Sequence, residues 1–347
     1  MATQSNILIV GGGVAGACLL LRLRDYGVSA QIWDLPDDNR SSRRAAGLVN
    51  PFIIKRLVLS WKGQEAFEYA QAFYRRLEKQ SGISFLDTTP VYRLLTHEEI
   101  RSQWEARRLA QPELAFYMGI PEKAPRPFPE NTQRALIPRC FRVRPQSFFD
   151  AVYVLEGDSF RPEKFDYSAL KYQKGAGWKY GGHNFSAVVF CEGTAVVHNP
   201  FIPPVFLKPC KGQWLITDNF GLEAGYLASH FFLPENTHFL FTGSTYEFQF
   251  SHAEPDADGR EKLRKGLADL TREPLRIHEQ VAGIRPATSD RRPVLGKVPG
   301  HEGLYIFNGL GSRGFLLAPL LAECMSRHIL KGEALPPESE FQRFFTP

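Results

Sequence analysis

Ile7-Leu8-Ile9-Val10, followed by Gly11-Gly12-Gly13-Val14-Ala15-Gly16 and then Ala17 to Leu23, restricts the fold of this chain more than any other stretch. An apolar run, a G-x-G-x-x-G loop and a helical pattern, in that order, form the dinucleotide-binding fingerprint in the context it needs. Each glycine has a mechanical task. Gly11 makes the tight turn, Gly13 lets backbone approach a diphosphate, and Gly16 lets the helix sit close on the strand. The helix N-terminus then turns its free N–H groups toward the phosphates. A second apolar stretch, Val28 to Trp33, ends in Asp34, where an acid is expected to meet a ribose hydroxyl. The loop alone leaves NAD, NADP and FAD open.

With 347 residues, the chain exceeds one ordinary core and suits two domains of about 100 to 200 residues each. An apolar fraction of 43% and a charged fraction of 23% place it among globular proteins and exclude disordered and fibrous classes. The formal charge of +5 is spread over pairs such as Arg43-Arg44, Arg107-Arg108 and Arg291-Arg292. That pattern reads as solvated surface, not as a nucleic-acid tract. The cysteines, Cys18, Cys140, Cys191, Cys210 and Cys324, are odd in number and widely spaced, so reduced thiols and a cytoplasmic location are expected. No run approaches the ~18 apolar residues of a membrane span. The start of the chain lacks the basic segment of a signal peptide. The histidines show no ligand spacing, so no metal is implied.

Past Asp34, Pro36 to Arg44 is polar and turn-rich, and Ala45 to Pro51, with Ala46 and Gly47, is small enough for backbone to approach a flat ligand. Gln64 to Gln80 reads as an amphipathic helix with Ala66, Tyr69, Ala70, Phe73 and Leu77 on one face. Phe85 to Leu95 is strand material, Glu98 to Ala110 a charged and mostly exposed helix, and Met118 to Pro129 a proline-dominated loop or domain crossing. Ser147 to Val154 is a short helix. Phe185 to Phe190 is an apolar strand ending in Cys191-Glu192-Gly193, which reads either as a cofactor edge or as an ordinary tight turn. Gln213 to Thr217, Phe231 to Leu233 and Phe239 to Gly243 are strands, the last two forming a hairpin, and Arg260 to Asp269 is a helix.

The end of the chain repeats the grammar of its start. Strand Leu304 to Phe307 runs into Asn308-Gly309-Leu310-Gly311-Ser312-Arg313-Gly314-Phe315 and then a helix, Ala318 to Leu330. This is a second nest of backbone donors, suited to an electron-rich carbonyl edge. A nicotinamide cofactor needs one such nest. A cofactor with both a diphosphate and a large ring system uses two.

Together with Lys208-Pro209-Cys210-Lys211-Gly212-Gln213, Thr242-Gly243-Ser244-Thr245, and Gly283-Ile284-Arg285-Pro286 with Asp290 and Pro293, these landmarks resemble the D-amino-acid-oxidase-like flavoenzymes. That family includes glycine oxidase, D-amino-acid dehydrogenase and sarcosine oxidase. The run Gly311 to Leu320 looks most like the oxidase half of the bifunctional enzyme that modifies the wobble uridine of tRNA. The resemblance implies an α/β fold: a Rossmann-like FAD-binding domain built from 1–80, 140–207 and 275–347, with an inserted antiparallel-sheet substrate domain from 81–139 and 208–274. It implies FAD held by Gly11, Gly13, Val14, Ala15, Gly16, Asp34, Ala46, Gly47, Gly193, Gly309, Gly311, Ser312, Arg313, Gly314 and Phe315. The link is expected to be non-covalent, because the segment from Arg285 to Gly296 has no cysteine. Arg285 matches the arginine that grips a substrate carboxylate through two parallel hydrogen bonds.

The implied activity is oxidation of the C–N bond of an amino acid or secondary amine by hydride transfer to flavin, with the small amine as partner. Removal of a carboxymethyl group from a modified tRNA wobble uridine is an alternative, with tRNA as a partner that is not favoured. A non-catalytic flavin- or NAD-binding module is another. The motifs do not specify the electron acceptor. Two departures from the family pattern stand out: Asp34 where many members carry Glu, and Cys191-Glu192-Gly193 where members often carry Ala-Thr-Gly.

Overall fold

The computed structural model describes residues 6–35 and 40–345, so residues 36–39 of the turn-rich segment lie outside the described residues. The chain opens with β1 (Asn6–Val10), α1 (Val14–Asp25) and β2 (Ser29–Trp33). The long helix α2 (Gly63–Ser81), β3 (Val91–Leu95) and α3 (Glu98–Ala110) follow. Next are β4 (Pro121–Lys123), β5 (Gln133–Leu136), α4 (Pro145–Glu156), β6 (Phe160–Arg161) and β7 (Ala187–Phe190). A run of strands, β8 (Cys210–Asp218), β9 (Gly225–Leu227), β10 (Phe231–Pro234) and β11 (Phe239–Gly243), leads to α5 (Ala257–Ala268). The chain closes with β12 (Ile277–Arg285), β13 (Val294–Lys297), β14 (Leu304–Asn308) and α6 (Gly314–Lys331).

Six strands form a sheet in the order β6-β2-β1-β7-β14-β13, parallel except for β13 at the edge. Strands buried on both faces must be apolar throughout, and Ile7, Leu8, Ile9 and Val10 are all at most 3% exposed. Because alternate side chains point to opposite faces, Ile7 and Ile9 pack with α1, α2, α4 and α6. Leu8 and Val10 pack instead on Trp178 and Tyr180, which belong to a small sheet formed by 171–173, 177–180 and 183–185. The segment Gly157 to Gly182, poor in helix signals, thus supplies the third layer.

α2 buries Ala66, Phe67, Ala70, Phe73, Tyr74 and Leu77 at helical spacing, and Gly82 ends it in the left-handed region with its N–H on Glu78 O. α6 begins four residues earlier than its sequence pattern suggests, although Pro319 lies inside it. Proline cannot donate to the carbonyl four residues back. That carbonyl, on Phe315, instead accepts from the buried Tyr74 hydroxyl at 2.8 Å, so the helix keeps its start.

A second sheet, of eight strands, has the order β12-β8-β11-β10-β9-β3-β5-β4. It is antiparallel apart from β9 alongside β3, where strands from two separate stretches of chain run the same way. The proline-rich segment from Met118 contributes β4 to its edge, which suits a residue type that cannot complete a ladder. Strand β12 pairs along the length of β8 and so belongs to this sheet, while β13 belongs to the parallel one. One face buries Leu215, Tyr226, Phe232 and Leu240 against Leu263 and Leu267 of α5. By register, the opposite face carries Arg285, Gly283 and Val281 of β12, Gly212 and Trp214 of β8, Phe231 of β10 and Leu227 of β9.

Candidate functional site

A cavity of about 1380 Å³ lies between that face and the carboxyl ends of the parallel strands. This is the side of an open α/β sheet on which ligands bind. Its lining includes Gly11, Gly13, Val14, Ala15, Asp34, Ala46, Gly47, Gly193, Gly311, Ser312, Arg313, Gly314, Phe315 and Arg285. Residues more than 300 positions apart in sequence are thereby brought together. Gly16 and Gly309 are not on the wall, and both are structural: a Cβ on Gly16 would stand 2.1 Å from Gly11 O, and one on Gly309 2.6 Å from Thr288 Cγ2. Gly13 differs, since a Cβ there would meet nothing nearer than Ser42 Oγ at 3.3 Å. No backbone atom crowds that position, so a side chain there would have only the Ser42 hydroxyl to displace.

At the end of β2, the Asp34 carboxylate accepts from Gly12 N–H and is ion-paired with Arg40. Burial, with Arg43 nearby, lowers the Arg40 guanidinium to about 10. The Ser42 hydroxyl accepts from Val14 N–H at 3.1 Å. Arg40, Ser41 and Ser42 all line the cavity, and sequence reasoning passed over them as turn residues. Their signal was a pair of hydroxyls and a cation just past the acid of the fingerprint.

At the opposite junction, the buried Asn308 donates to Gly193 O at 2.9 Å and accepts from Gly309 N–H at 2.7 Å, tying the ends of β7 and β14 together. Neither N-cap residue, Gly13 of α1 or Arg313 of α6, caps its helix with its own side chain, and apart from the Val14 N–H taken by Ser42 the first-turn N–H groups and the positive end of each helix dipole are available to a ligand. The two helix starts touch, because a Cβ on Gly314 would come 3.0 Å from Val14 Cγ1. Arg313 is held within the wall, where burial lowers its affinity for a proton, and its Nη1 finds no hydrogen-bond partner among the described residues.

Arg285 is fixed from several sides. Its Nη2 donates to Ser244 Oγ at 3.0 Å and its Nη1 to Thr245 O at 3.2 Å. Its guanidinium carbon stands 4.3 Å from the Tyr246 ring centroid. On the other side it fills the space that Gly212 leaves, where a Cβ would lie 2.1 Å from Nη2. Behind it, fully buried Lys211 donates to Asp256 at 2.5 Å, and Gln213 bridges Asp256 and Glu247. Although burial opposes ionisation, hydrogen bonds from Lys211, Gly259 and Gln213 hold the Asp256 carboxyl at about 2. This network pins the segment from Ser244 to Asp256, which carries Tyr246, over the arginine. Lys211 and Gln213 stood in the sequence landmark, but their partners are distant and no local pattern named them.

The model of the family described as FAD-dependent oxidoreductase, DAO, matches residues 6–328. The chain belongs to this family. It is 25% identical over 356 residues to the tRNA 5-methylaminomethyl-2-thiouridine biosynthesis bifunctional protein of Idiomarina loihiensis, a match covering 96% of this chain and 57% of that protein. The chain thus spans little more than half the length of that relative. In fold it is similar to iminodiacetate oxidase from Chelativorans sp. BNC1, with a TM-score of 0.79 at 19% identity over 98% of both chains. Glycine oxidase from Geobacillus kaustophilus gives a TM-score of 0.79 at 20% identity over 96% of this chain and 98% of that one. The residues present fit the family's cofactor: the starts of α1 and α6 at Val14 and Gly314, the space beside Gly13 and the buried cation Arg313 all border one cavity. Among the described residues no helix is long and apolar enough to cross a membrane, and no group of three or more His, Cys, Asp or Glu could hold a metal ion.

Proposed function

We propose that this chain oxidises the C–N bond of a carboxylate-bearing amine, either an amino acid or a secondary amine, with non-covalent FAD held in the cavity. The observation that carries the reading is Arg285, a guanidinium immobilised on the cavity wall between Gly212 and Tyr246. Guanidinium has five N–H donors. Hydrogen bonds to Ser244, Thr245 and the Cys210 sulfur leave donors over for a carboxylate. A carboxylate anchored there fixes the adjacent C–H bond in place, and orientation of this kind accounts for much of a barrier reduction. Trp214, Phe231 and Leu227 on the same wall keep the reacting carbon dry. The start of α6 and the cationic Arg313 supply positive potential where negative charge develops. Bound FAD supplies the acceptor for the hydride. The substrate nitrogen, unprotonated, gives its lone pair to the new C=N bond as the hydride leaves; the resulting iminium releases a proton to solvent, and water splits the imine into an amine and a carbonyl compound.

A second reading places the same bond on a carboxymethylamino group carried by tRNA. It is supported by the relative from Idiomarina loihiensis, which matches across 96% of this chain and is named for tRNA thiouridine biosynthesis. Anaerobic mixing separates the readings. Bleaching of the flavin absorbance by free amino acids or N-substituted glycines supports the first. Bleaching by tRNA alone, with binding that weakens steeply as salt rises, supports the second. A flavin that no amine or tRNA reduces contradicts both and leaves a cofactor-binding module without turnover.

A further inference from the structure

Glu192 stands at the carboxyl end of β7, on the cavity wall. The first fingerprint glycine lies directly against it, since a Cβ on Gly11 would come 2.6 Å from Cys191 O and 3.2 Å from Glu192 Cα. Glu192 and Asp34 therefore flank the same Gly11–Gly13 loop, and they are partnered differently. Asp34 has a backbone N–H and the Arg40 cation. Glu192 has neutral donors only: the Tyr167 hydroxyl on Oε1, and the Asn199 amide on Oε2 at 2.8 Å. Among the described residues no cation stands within ion-pair distance of it. The remaining charged or titratable groups on this part of the wall are Lys164 and Asp166 beside Tyr167, Cys191 and His198 on its own stretch of chain, and Asp34 and Arg40 across the glycine loop.

A desolvated carboxylate without a cation is costly, and a proton relieves the cost. Burial pushes the Glu192 carboxyl up to about 7, against the pull of its two hydrogen bonds. A diphosphate brought to the glycine loop adds negative charge to the same wall and disfavours the ionised form further.

We propose that Glu192 makes dinucleotide binding proton-linked: the cofactor binds to the form with a neutral Glu192 acid, and one proton is taken up from solvent when it binds to the ionised form. The only bond formed is the O–H bond of the carboxyl group. This rests on the reading of the cavity as an FAD site. Affinity is then level while Glu192 is already protonated in the free protein, and falls about tenfold per pH unit once it is ionised there.

The test dilutes holoprotein and reads free and bound FAD by flavin fluorescence from about pH 6 to about pH 9, a window that brackets the midpoint. Wild type is expected to lose affinity above neutrality with that slope. Glu192→Gln is expected to bind FAD with no slope, and His198→Gln to keep the slope. Tyr167→Phe removes a hydrogen bond that favours ionisation, so it keeps the slope and moves the midpoint to higher pH; it also serves should Glu192→Gln fail to fold. Level affinity in wild type, a slope that survives Glu192→Gln, or a slope abolished by His198→Gln overturns the inference while leaving the FAD site standing. Failure to bind FAD at every pH contradicts the cofactor reading itself, and the inference falls with it.

Discussion

The two strand–glycine–helix junctions, one after Val10 and one after Phe307, share a backbone grammar and differ in charge. Around the first stand two carboxyls, Asp34 and Glu192, with Arg40 as the cation paired to one of them. Around the second stand two guanidiniums, Arg285 and Arg313. On the proposed reading, carboxyl groups stand where sugar hydroxyls would be met and guanidiniums where a substrate carboxylate and a developing negative charge would be met. Helix starts alone would bind any anion; on the proposed reading, the side chains around each start divide the work between holding a cofactor and orienting a substrate.

Substitutions at each end break the comparison differently. The largest effect is expected from Gly13→Val. Its Cβ meets only Ser42 Oγ, at 3.3 Å, and the rest of the side chain takes up space beside the loop, so FAD affinity is expected to fall by about a hundredfold or more with a much smaller change in thermal unfolding temperature. Gly16→Val, aimed at Gly11 O, should lower that temperature instead, and stoichiometric FAD in the Gly13 variant would show that the first junction does not hold the diphosphate. At the second junction, Arg285→Lys keeps the charge and loses the fork. KM for carboxylate amines should rise about ten- to a hundredfold with FAD retained, and steady-state kinetics equal to wild type would remove Arg285 from the site. Gly212→Ala displaces the same guanidinium and should repeat the effect in weaker form. The smallest effect on activity is expected from Tyr74→Phe. It leaves the Phe315 carbonyl beside Pro319 without a partner, and denaturant unfolding should show a loss of about 1–3 kcal/mol with kinetics little changed.

The first junction was legible in the sequence because its signals are local: strand, glycines, helix and acid follow one another within thirty residues. The hairpin of β10 and β11 and the span of α3 were legible for the same reason. What escaped depends on distant partners. The sequence pattern starts the last helix at Ala318, one residue before Pro319; the structure starts it at Gly314, with Tyr74, 245 positions from Pro319, covering the Phe315 carbonyl that the proline orphans. Arg40 and Ser42 read as loop polarity until the loop folds over Gly12 and Val14. Lys211 stood in a landmark of the sequence, but its partner Asp256 lies 45 positions on and no local pattern pointed to it. Gly193 marked a cofactor edge or a turn, and the hydrogen bond from Asn308 to its carbonyl shows how the edge is held.

The central claim is that Arg285 and the flavin share one cavity, with the guanidinium addressing a carboxylate at the reactive end. The most direct measurement is a spectral titration of holoprotein with a simple carboxylate that lacks an amine, such as propionate, in wild type and in Arg285→Met. A saturable perturbation of the flavin absorbance in wild type that is absent from the variant is the expected result. The same perturbation in both proteins, or none in wild type, would contradict it.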